Sequence, residues 1–501
     1  MDLAPDACYR AIQTRDSRFD GRLFIGVRTT GIYCRPICPA RTPKRENVSF
    51  YPSAAAAQEA GFRPCLRCRP ETSPDLGAWR GASNTVSRAL RLIEAGALDA
   101  GDVDALANRL GVGERQLRRL FRQHLGASPV AVAQTRRVLL AKQLIHETRL
   151  PMAQVALASG FGSVRRFNET FRQLYDRPPR ALRRVRGPDE PAGGLVTLKL
   201  AYRPPYDWPA MLAFLSARAI PGVEMVRDGV YARAIAIGDD RGALSVQPAP
   251  DARLSVAIAF PKLAALPVII ARVRCVFDLA ADPVTIGDHL AEDPALAPLV
   301  AARPGLRAPG AWDCFELAVR AVLGQQITVA AAIGLAGRLA REHGETLNAG
   351  LPGFPELTHV FPSAARLAGV DLADLPMPRA RSKALEALAS AAAGDPGLFS
   401  PRGELNDAIE RLRALPGVGE WTAQYIAMRQ LREPDAFPAA DIGLMRAMAD
   451  ADGARPSAAA LLARAERWRP WRAYAAQHLW SADAAAAKPA KEKSHVDRQA
   501  A

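Results

Sequence analysis

The sequence predicts a multidomain, mostly α-helical protein, with a small cysteine-rich mixed domain at its N-terminus and an α+β domain near its middle. Three observations carry that class. The chain is 501 residues long, room for roughly three or four domains. Two polar stretches rich in Gly and Pro, "TSPDLGAWRGASNT" and "RGPDEPAGG", divide it. Over most of what remains, apolar residues recur at intervals of three and four, the period of an amphipathic helix.

The charge is unevenly spread. Residues 1–190 hold 32 Lys and Arg against 18 Asp and Glu, a net +14, whereas the other 311 residues hold 34 against 33. Almost all of the overall +15 therefore lies in the first two fifths of the chain, which marks that part as the one that meets a polyanion, nucleic acid first. The bland alternative, an Arg-rich composition throughout, does not fit the near-neutral remainder. No apolar run is long enough to span a membrane, and "MDLAPDACYR" lacks the basic-then-apolar pattern of a signal peptide. The expected setting is cytoplasmic and nucleoid-associated, without a membrane partner. In that reducing compartment clustered thiols bind metal or do chemistry more often than they pair.

Residues 1–75 hold five of the seven cysteines, Cys8 and four that stand in pairs. Cys34-x3-Cys38 and Cys65-x2-Cys68 are two close pairs, the arrangement that supplies a tetrahedral thiolate site for one zinc ion. A redox pair, or four unrelated buried thiols, are the alternatives. Around them stand Arg28, Arg35, Arg41, Lys44, Arg45, Arg63, Arg67 and Arg69. A four-thiolate zinc site carries a formal charge of about −2, so this basic surround offsets it and offers a surface for phosphates. Structural zinc is the default for four cysteines, but a metal-held thiolate is also a nucleophile at neutral pH.

The run "RTTGIYCRPICPARTPKRENVSFY…GFRPCLRC" closely resembles the N-terminal domain of the Ada adaptive-response proteins, over roughly residues 5–72. The resemblance implies that Cys34 irreversibly accepts a methyl group from a methylated DNA phosphate, with Cys38, Cys65 and Cys68 as companion zinc ligands. Methylation would lower the site's negative charge by one. A unit charge about 8 Å from a phosphate is worth about 2 kcal/mol before screening, on the order of tenfold or more in affinity.

Residues 84–185 read as a set of short helices. "DVDALANRLGVGERQLRRLFRQHLG" gives helix, turn at Gly111, helix, and "LPMAQVALASGFGSVRRFNETFRQLYDRPP" repeats the plan with its turn at Gly160. Two such helix-turn-helix units resemble the AraC-type DNA-binding domain, whose second helices enter major grooves. Arg115, Gln116, Arg118 and Arg119 in the first unit, and Ser163, Arg165, Arg166 and Asn168 in the second, are the types that reach bases and phosphates. An ordinary helical bundle with solvated arginines is the plain alternative. A transcription activator of this type implies promoter DNA and RNA polymerase as partners.

Residues 195–282 begin with the alternation of "LVTLKLAY" and continue through "RDGVYARAIAIGDDRGALSVQPAPDARLSVAIAF", strands joined by Gly/Asp turns, a small α+β domain. Residues 284–485 are helical again. There "LPGVGEW" places a Gly-containing turn between two helices, a helix-hairpin-helix pattern whose Gly417 and Gly419 amides suit a DNA phosphate. A scaffold turn is the alternative. Asp441, in "FPAAD", stands where a helix begins, as an N-cap or as a carboxylate beside a flipped nucleotide. Residues 486–501 are poor in hydrophobes and read as a disordered tail.

The hairpin, the Pro-x-x-Asp and "FELAVRAVLGQQITVAAA" together resemble the HhH-GPD glycosylases, and within them the AlkA type of 3-methyladenine DNA glycosylase, over residues 195–485. The resemblance implies an AlkA-like α+β domain followed by an all-α glycosylase domain. It makes Asp441 the catalytic carboxylate, Trp421, Tyr425 and Trp480 the base pocket, and Gln326 the wedge that fills the emptied stack. Each aromatic is equally suited to a core. Strand-nicking relatives carry Lys where this chain has Trp421, so release of the base by hydrolysis alone is implied. Relatives with an iron–sulfur cluster carry four C-terminal cysteines, and none follows Cys314; Cys8, Cys275 and Cys314 are read as packing residues, and no cluster is expected. The Pro-Cys-His-Arg motif of Ada's guanine-repair domain is missing, so that second transfer is not expected. Rival readings are a regulator whose glycosylase half only clamps DNA, and a repair enzyme with a purely structural zinc module.

Overall fold

A computed structural model describes residues 4–74, 84–184, 195–347, 350–395, 397–399 and 405–496. Most of the first polar stretch and all of the second lie outside them.

The N-terminal domain is a four-stranded sheet with strands β1 (Phe24–Val27), β2 (Ile32–Cys34), β3 (Val48–Tyr51) and β4 (Arg63–Pro64), in the order β3-β1-β2-β4. Helices Pro5–Gln13 and Ala54–Glu59 pack with it. β2 and β4 run parallel, and the Cys65 amide bonds to the Tyr33 carbonyl at 3.0 Å. That register brings the second cysteine pair to the end of the strand that carries the first.

Six helices follow, Asn84–Glu94, Val103–Leu110, Glu114–Leu125, Pro129–Glu147, Met152–Ala158 and Val164–Tyr175. Gly111 (φ +73°) and Gly160 (φ +86°) stand where the two turns were expected. A Cβ on Gly160 would lie 2.3 Å from the Asp99 carboxylate, which with the positive φ makes glycine the residue that fits this turn. Asp102 and Ser163 cap the helices that follow them.

The α+β domain is an antiparallel sheet of β5 (Val196–Ala201), β6 (Glu224–Arg227), β7 (Val230–Ile237), β8 (Asp240–Ala249) and β9 (Arg253–Ala259), ordered β5-β9-β8-β7-β6. Helices Trp208–Ser216 and Leu266–Val276 belong with it. β5 alternates buried and exposed residues, as its sequence requires. Its core is continuous with that of the second helix-turn-helix unit, where Phe167, Phe171 and Tyr175 join Leu198, Val246 and Phe277. The first unit keeps a core of its own around Ile93, Leu106 and Phe121.

The last domain is a helical array around Leu388, Ile426, Leu444, Trp468 and Leu479. A two-stranded ladder, Glu345–Thr346 with His359–Val360, was not anticipated. The final helix spans Arg472–Val496, which corrects the expected disorder of 486–496: Ala and Lys favour the helix that the packed residues start. Residues 497–501 of that tail lie outside the described residues.

Candidate functional sites

The first site is the cysteine cluster. The sulfurs of Cys34, Cys38, Cys65 and Cys68 all lie within 4.8 Å of one another. A tetrahedral zinc with bonds of about 2.3 Å separates its sulfurs by about 3.8 Å, so the four residues fit one ion. Cys65 and Cys68 are buried, whereas Cys34 and Cys38 are half-buried. Each buried sulfur accepts a backbone amide, Arg67 N to Cys65 Sγ at 3.3 Å and Arg35 N to Cys68 Sγ at 3.4 Å. Such bonds stabilise a thiolate and dampen its nucleophilicity. Hydrogen bonds from Cys38, Cys65 and Cys68 push the Cys34 thiol up, while the one with Cys34 draws Cys38 down to about 7. A cation is therefore what would keep Cys34 as a thiolate.

The basic surround divides in two. Arg28, Arg41, Lys44, Arg45 and Arg67 are exposed. Arg35, expected among the phosphate-facing cations, is instead buried. It donates to Asp20 at 2.8 Å, to the Cys68 carbonyl at 3.1 Å and to Thr72 Oγ1 at 2.8 Å, because a guanidinium under a sheet needs partners on every side. Arg69 is tied to Glu71 and Glu147, at 3.1 and 3.0 Å. Arg63 lies 6.0 Å from the ring centre of Tyr175.

On the helix-turn-helix units, Arg115, Gln116, Arg118 and Arg119 share the exposed side of helix Glu114–Leu125, opposite buried Leu117 and Phe121. Arg118 is braced by Glu114 at 2.8 Å. On helix Val164–Tyr175, Arg165 and Arg166 are exposed, Arg165 pairs with Glu169 at 2.8 Å, and Asn168 is half-buried. The Ser163 hydroxyl oxygen accepts from Arg166 N at 3.2 Å, so this residue caps the helix.

The second site gathers around Asp441, the N-cap of helix Ile442–Ala447. Its Oδ1 accepts from Leu444 N at 3.0 Å and from Trp480 Nε1 at 2.8 Å, and its Oδ2 accepts from Trp421 Nε1 at 2.8 Å. The N-cap reading of Asp441 thus holds, and its carboxylate also faces a partly open aromatic cluster. Trp421 and Tyr425 are one turn apart on helix Glu420–Arg429 and stack at 5.1 Å with 9° between planes. Trp480 meets Tyr425 edge-on at 6.4 Å. All three rings are half-buried, which separates them from fully buried Trp468. Ile442, beside Asp441, is 58% exposed.

The hairpin lies between helices Leu405–Arg413 and Glu420–Arg429. Gly417 has φ +77°, and a Cβ there would meet the Cβ of Ala384 at 2.5 Å. Gly419 is the N-cap, with open space where its side chain would be. Gln326 is exposed with φ +56°, an uncommon conformation for a residue with a side chain. Its neighbour Gln325 ties that loop to the hairpin, donating to Gly417 O at 2.8 Å and Thr422 Oγ1 at 3.3 Å. Sequence reasoning missed Gln325, Arg429 and, from the α+β domain, Phe214 and Arg218. Arg429 packs against Tyr425, Trp480 and Phe214, and Arg218 covers Phe214. Only the four-residue spacing of Trp421, Tyr425 and Arg429 was visible beforehand.

Three family models match: the metal binding domain of Ada over residues 7–71, a helix-turn-helix domain over 106–185, and the AlkA N-terminal domain over 197–313. The last runs through Trp312, which packs into the sheet's core. The chain is 44% identical over 480 residues to the probable bifunctional transcriptional activator/DNA repair enzyme AlkA of Mycobacterium tuberculosis, covering 95% of this chain and 96% of that one. It is 39% identical over 287 residues to DNA-3-methyladenine glycosylase 2 of Escherichia coli, 56% of this chain and 95% of that one. Its fold resembles the 3-methyladenine DNA glycosylase of Archaeoglobus fulgidus, with a TM-score of 0.51 and 21% identity over 57% of this chain and 97% of that one. Zinc-type thiol cluster, paired helix-turn-helix units and aromatic carboxylate pocket occur in one chain, and the chain belongs to the family of bifunctional Ada/AlkA transcriptional activators and DNA repair enzymes.

Proposed function

We propose that the protein senses DNA methylation at Cys34, activates transcription through its paired helix-turn-helix units, and excises alkylated purines of the 3-methyladenine type at Asp441. Zinc, when bound, supplies the charge that keeps the four sulfurs as thiolates. The Cys34 thiolate attacks the methyl carbon of a phosphotriester; the S–C bond forms, the C–O bond breaks, and the phosphodiester leaves as an anion. Cys34 suits this role because it is half-buried and, among the described residues, takes no backbone amide onto its sulfur. The product thioether ends the sulfur's reactivity and removes one negative charge beside Arg28, Arg41, Lys44, Arg45 and Arg67. DNA is then held more tightly.

For excision, the observation that carries the reading is Asp441, held through both oxygens by two indole N–H groups in a half-open aromatic pocket. Three donors occupy three of the carboxylate's roughly four acceptor sites, leaving one on Oδ2 for the reacting nucleotide. A flipped purine stacks among Trp421, Tyr425 and Trp480, while Asp441 stabilises the sugar cation that develops as the base leaves and helps water to add. An indole at position 421 cannot form a Schiff base, so the reaction ends with hydrolysis. Gln326, on its strained loop, fills the vacated stack, and the Gly417 and Gly419 amides hold the backbone.

Promoter DNA is read by Arg115, Gln116, Arg118 and Arg119, and by Ser163, Arg165, Arg166 and Asn168, with RNA polymerase as the partner of the activated state. The setting is the cytoplasm, on the nucleoid; no described helix is long and apolar enough to cross a membrane. Mass measurement of the Cys34 peptide after incubation of zinc-loaded protein with phosphate-methylated DNA tests the sensor: one added methyl, absent in Cys34→Ala, is expected. Asp441→Asn keeps a capping oxygen and is expected to slow base release by at least about 100-fold with little loss of stability. Unchanged release would leave the glycosylase half a DNA clamp.

A further inference from the structure

The base pocket is floored by a cation. Arg429 is 2% exposed, on the same helix and the next turn after Tyr425. Its guanidinium carbon lies 5.4 Å from the ring centre of Tyr425, 5.3 Å from that of Trp480 and 4.7 Å from that of Phe214. Its hydrogen bonds among the described residues go to neutral acceptors, the Pro309 carbonyl at 3.0 Å, the Gln477 amide oxygen at 2.9 Å and the Tyr425 hydroxyl. Several other buried arginines are neutralised, Arg35 by Asp20, Arg88 by Glu433 and Arg233 by Glu316, whereas Arg307 shares the all-neutral surroundings of Arg429 but packs on Tyr206, away from these rings. Arg218, on Phe214, adds a second positive charge nearby.

The physical consequence concerns substrate charge. An aromatic face attracts a cation through its quadrupole. In Tyr425 and Trp480 that attraction is already engaged by Arg429, so a cationic purine meets rings that are partly satisfied and a like charge behind them. An uncharged purine keeps its stacking and escapes the repulsion. Resting on the base-excision reading above, we propose that Arg429 is a specificity-determining residue that reduces the pocket's preference for positively charged bases over uncharged ones. Stacked on such a ring, a base is about 9 Å from the guanidinium, where like charges cost on the order of tenfold in relative rate at an effective dielectric of about 20.

A merely structural Arg429, pinning Pro309 and Gln477, predicts that all bases lose equally. The two roles separate in single-turnover release of cationic N7-methylguanine and uncharged hypoxanthine from otherwise identical duplexes by the full-length protein. Arg429→Met removes the charge at similar size, Arg429→Gln removes it while keeping a donor for Pro309, and Arg429→Lys keeps it. The expected result is a ratio of cationic to uncharged release that rises on the order of tenfold in the Met and Gln variants and stays near the wild-type value in Lys. An unchanged ratio in either folded neutral variant, or a wild-type protein that releases only the cationic base, overturns the proposal. Release of neither base by wild type would remove the excision reading itself, and this inference with it.

Discussion

Asp441 shows how one residue serves two ends. Its Oδ1 closes a helix and its Oδ2 is fixed by Trp421, so the fold's own capping bond orients the carboxylate. Gln326 is the opposite case, an unfavourable backbone conformation at the residue proposed as the wedge. Its φ of +56° has a cost that glycine would not have. Gln326→Gly is expected to leave the fold unchanged or stabilise it by up to about 1 kcal/mol, while lesion-containing DNA binds more weakly. Thermal melting and binding to a lesion duplex measure the two effects. A destabilised variant would mean that the loop conformation is held by the Gln side chain rather than tolerated despite it.

Helix Glu420–Arg429 carries most of the second site. Its N-terminus offers free amides after the hairpin, one face holds Trp421, Tyr425 and Arg429, and the opposite side sends Ala423, Ile426 and Ala427 into the core. The helical period therefore sets the hairpin amides, the aromatic rings and the cation in a fixed order along one rod. The two hairpin glycines make a sharp contrast. Gly417→Ala brings both a disfavoured φ and a 2.5 Å approach to Ala384, and is expected to destabilise the protein by about 1–3 kcal/mol. Gly419→Ala meets nothing within 4 Å and is expected to melt like wild type yet bind DNA less well, because the methyl group stands where a phosphate would approach. Equal melting of the two variants would contradict this division.

At the scale of the molecule, the joints between domains are buried and charged. Lys142, wholly buried on helix Pro129–Glu147, donates to the carbonyl of zinc-ligand candidate Cys65 and to Glu71, both at 2.8 Å. Glu71, with desolvation working against it, is nonetheless held down at about 2 by His146 and Lys142. Arg203 of the α+β domain reaches the Arg18 and Asp20 carbonyls at 2.8 and 2.6 Å. Arg88, on the helix Asn84–Glu94 that precedes the first helix-turn-helix unit, meets Glu433 of the glycosylase domain at 2.7 Å, both almost fully buried. Arg88→Met leaves Glu433 buried without its ion partner and is expected to cost about 3–5 kcal/mol in denaturant unfolding. The double variant Arg88→Met/Glu433→Leu should recover most of that loss. If the single variant unfolds like wild type, the domains do not depend on this joint.

The chain by itself determined which chemistry it holds and on which elements. The cysteine spacing, the two turns at Gly111 and Gly160, the hairpin and Asp441 are local signals, each within one or two neighbouring elements, and local signals survive folding. It also placed Trp421 and Tyr425 on one face, since four residues make a turn. What only the tertiary structure decided is whatever depends on residues far apart in sequence. Trp480 closes the pocket from another helix, Phe214 and Arg218 come from another domain, and Arg429 becomes a pocket residue only through them. Arg35 looked like a surface cation until a sheet and Asp20 enclosed it, because burial belongs to the packing of distant segments and leaves no mark in the sequence around a residue.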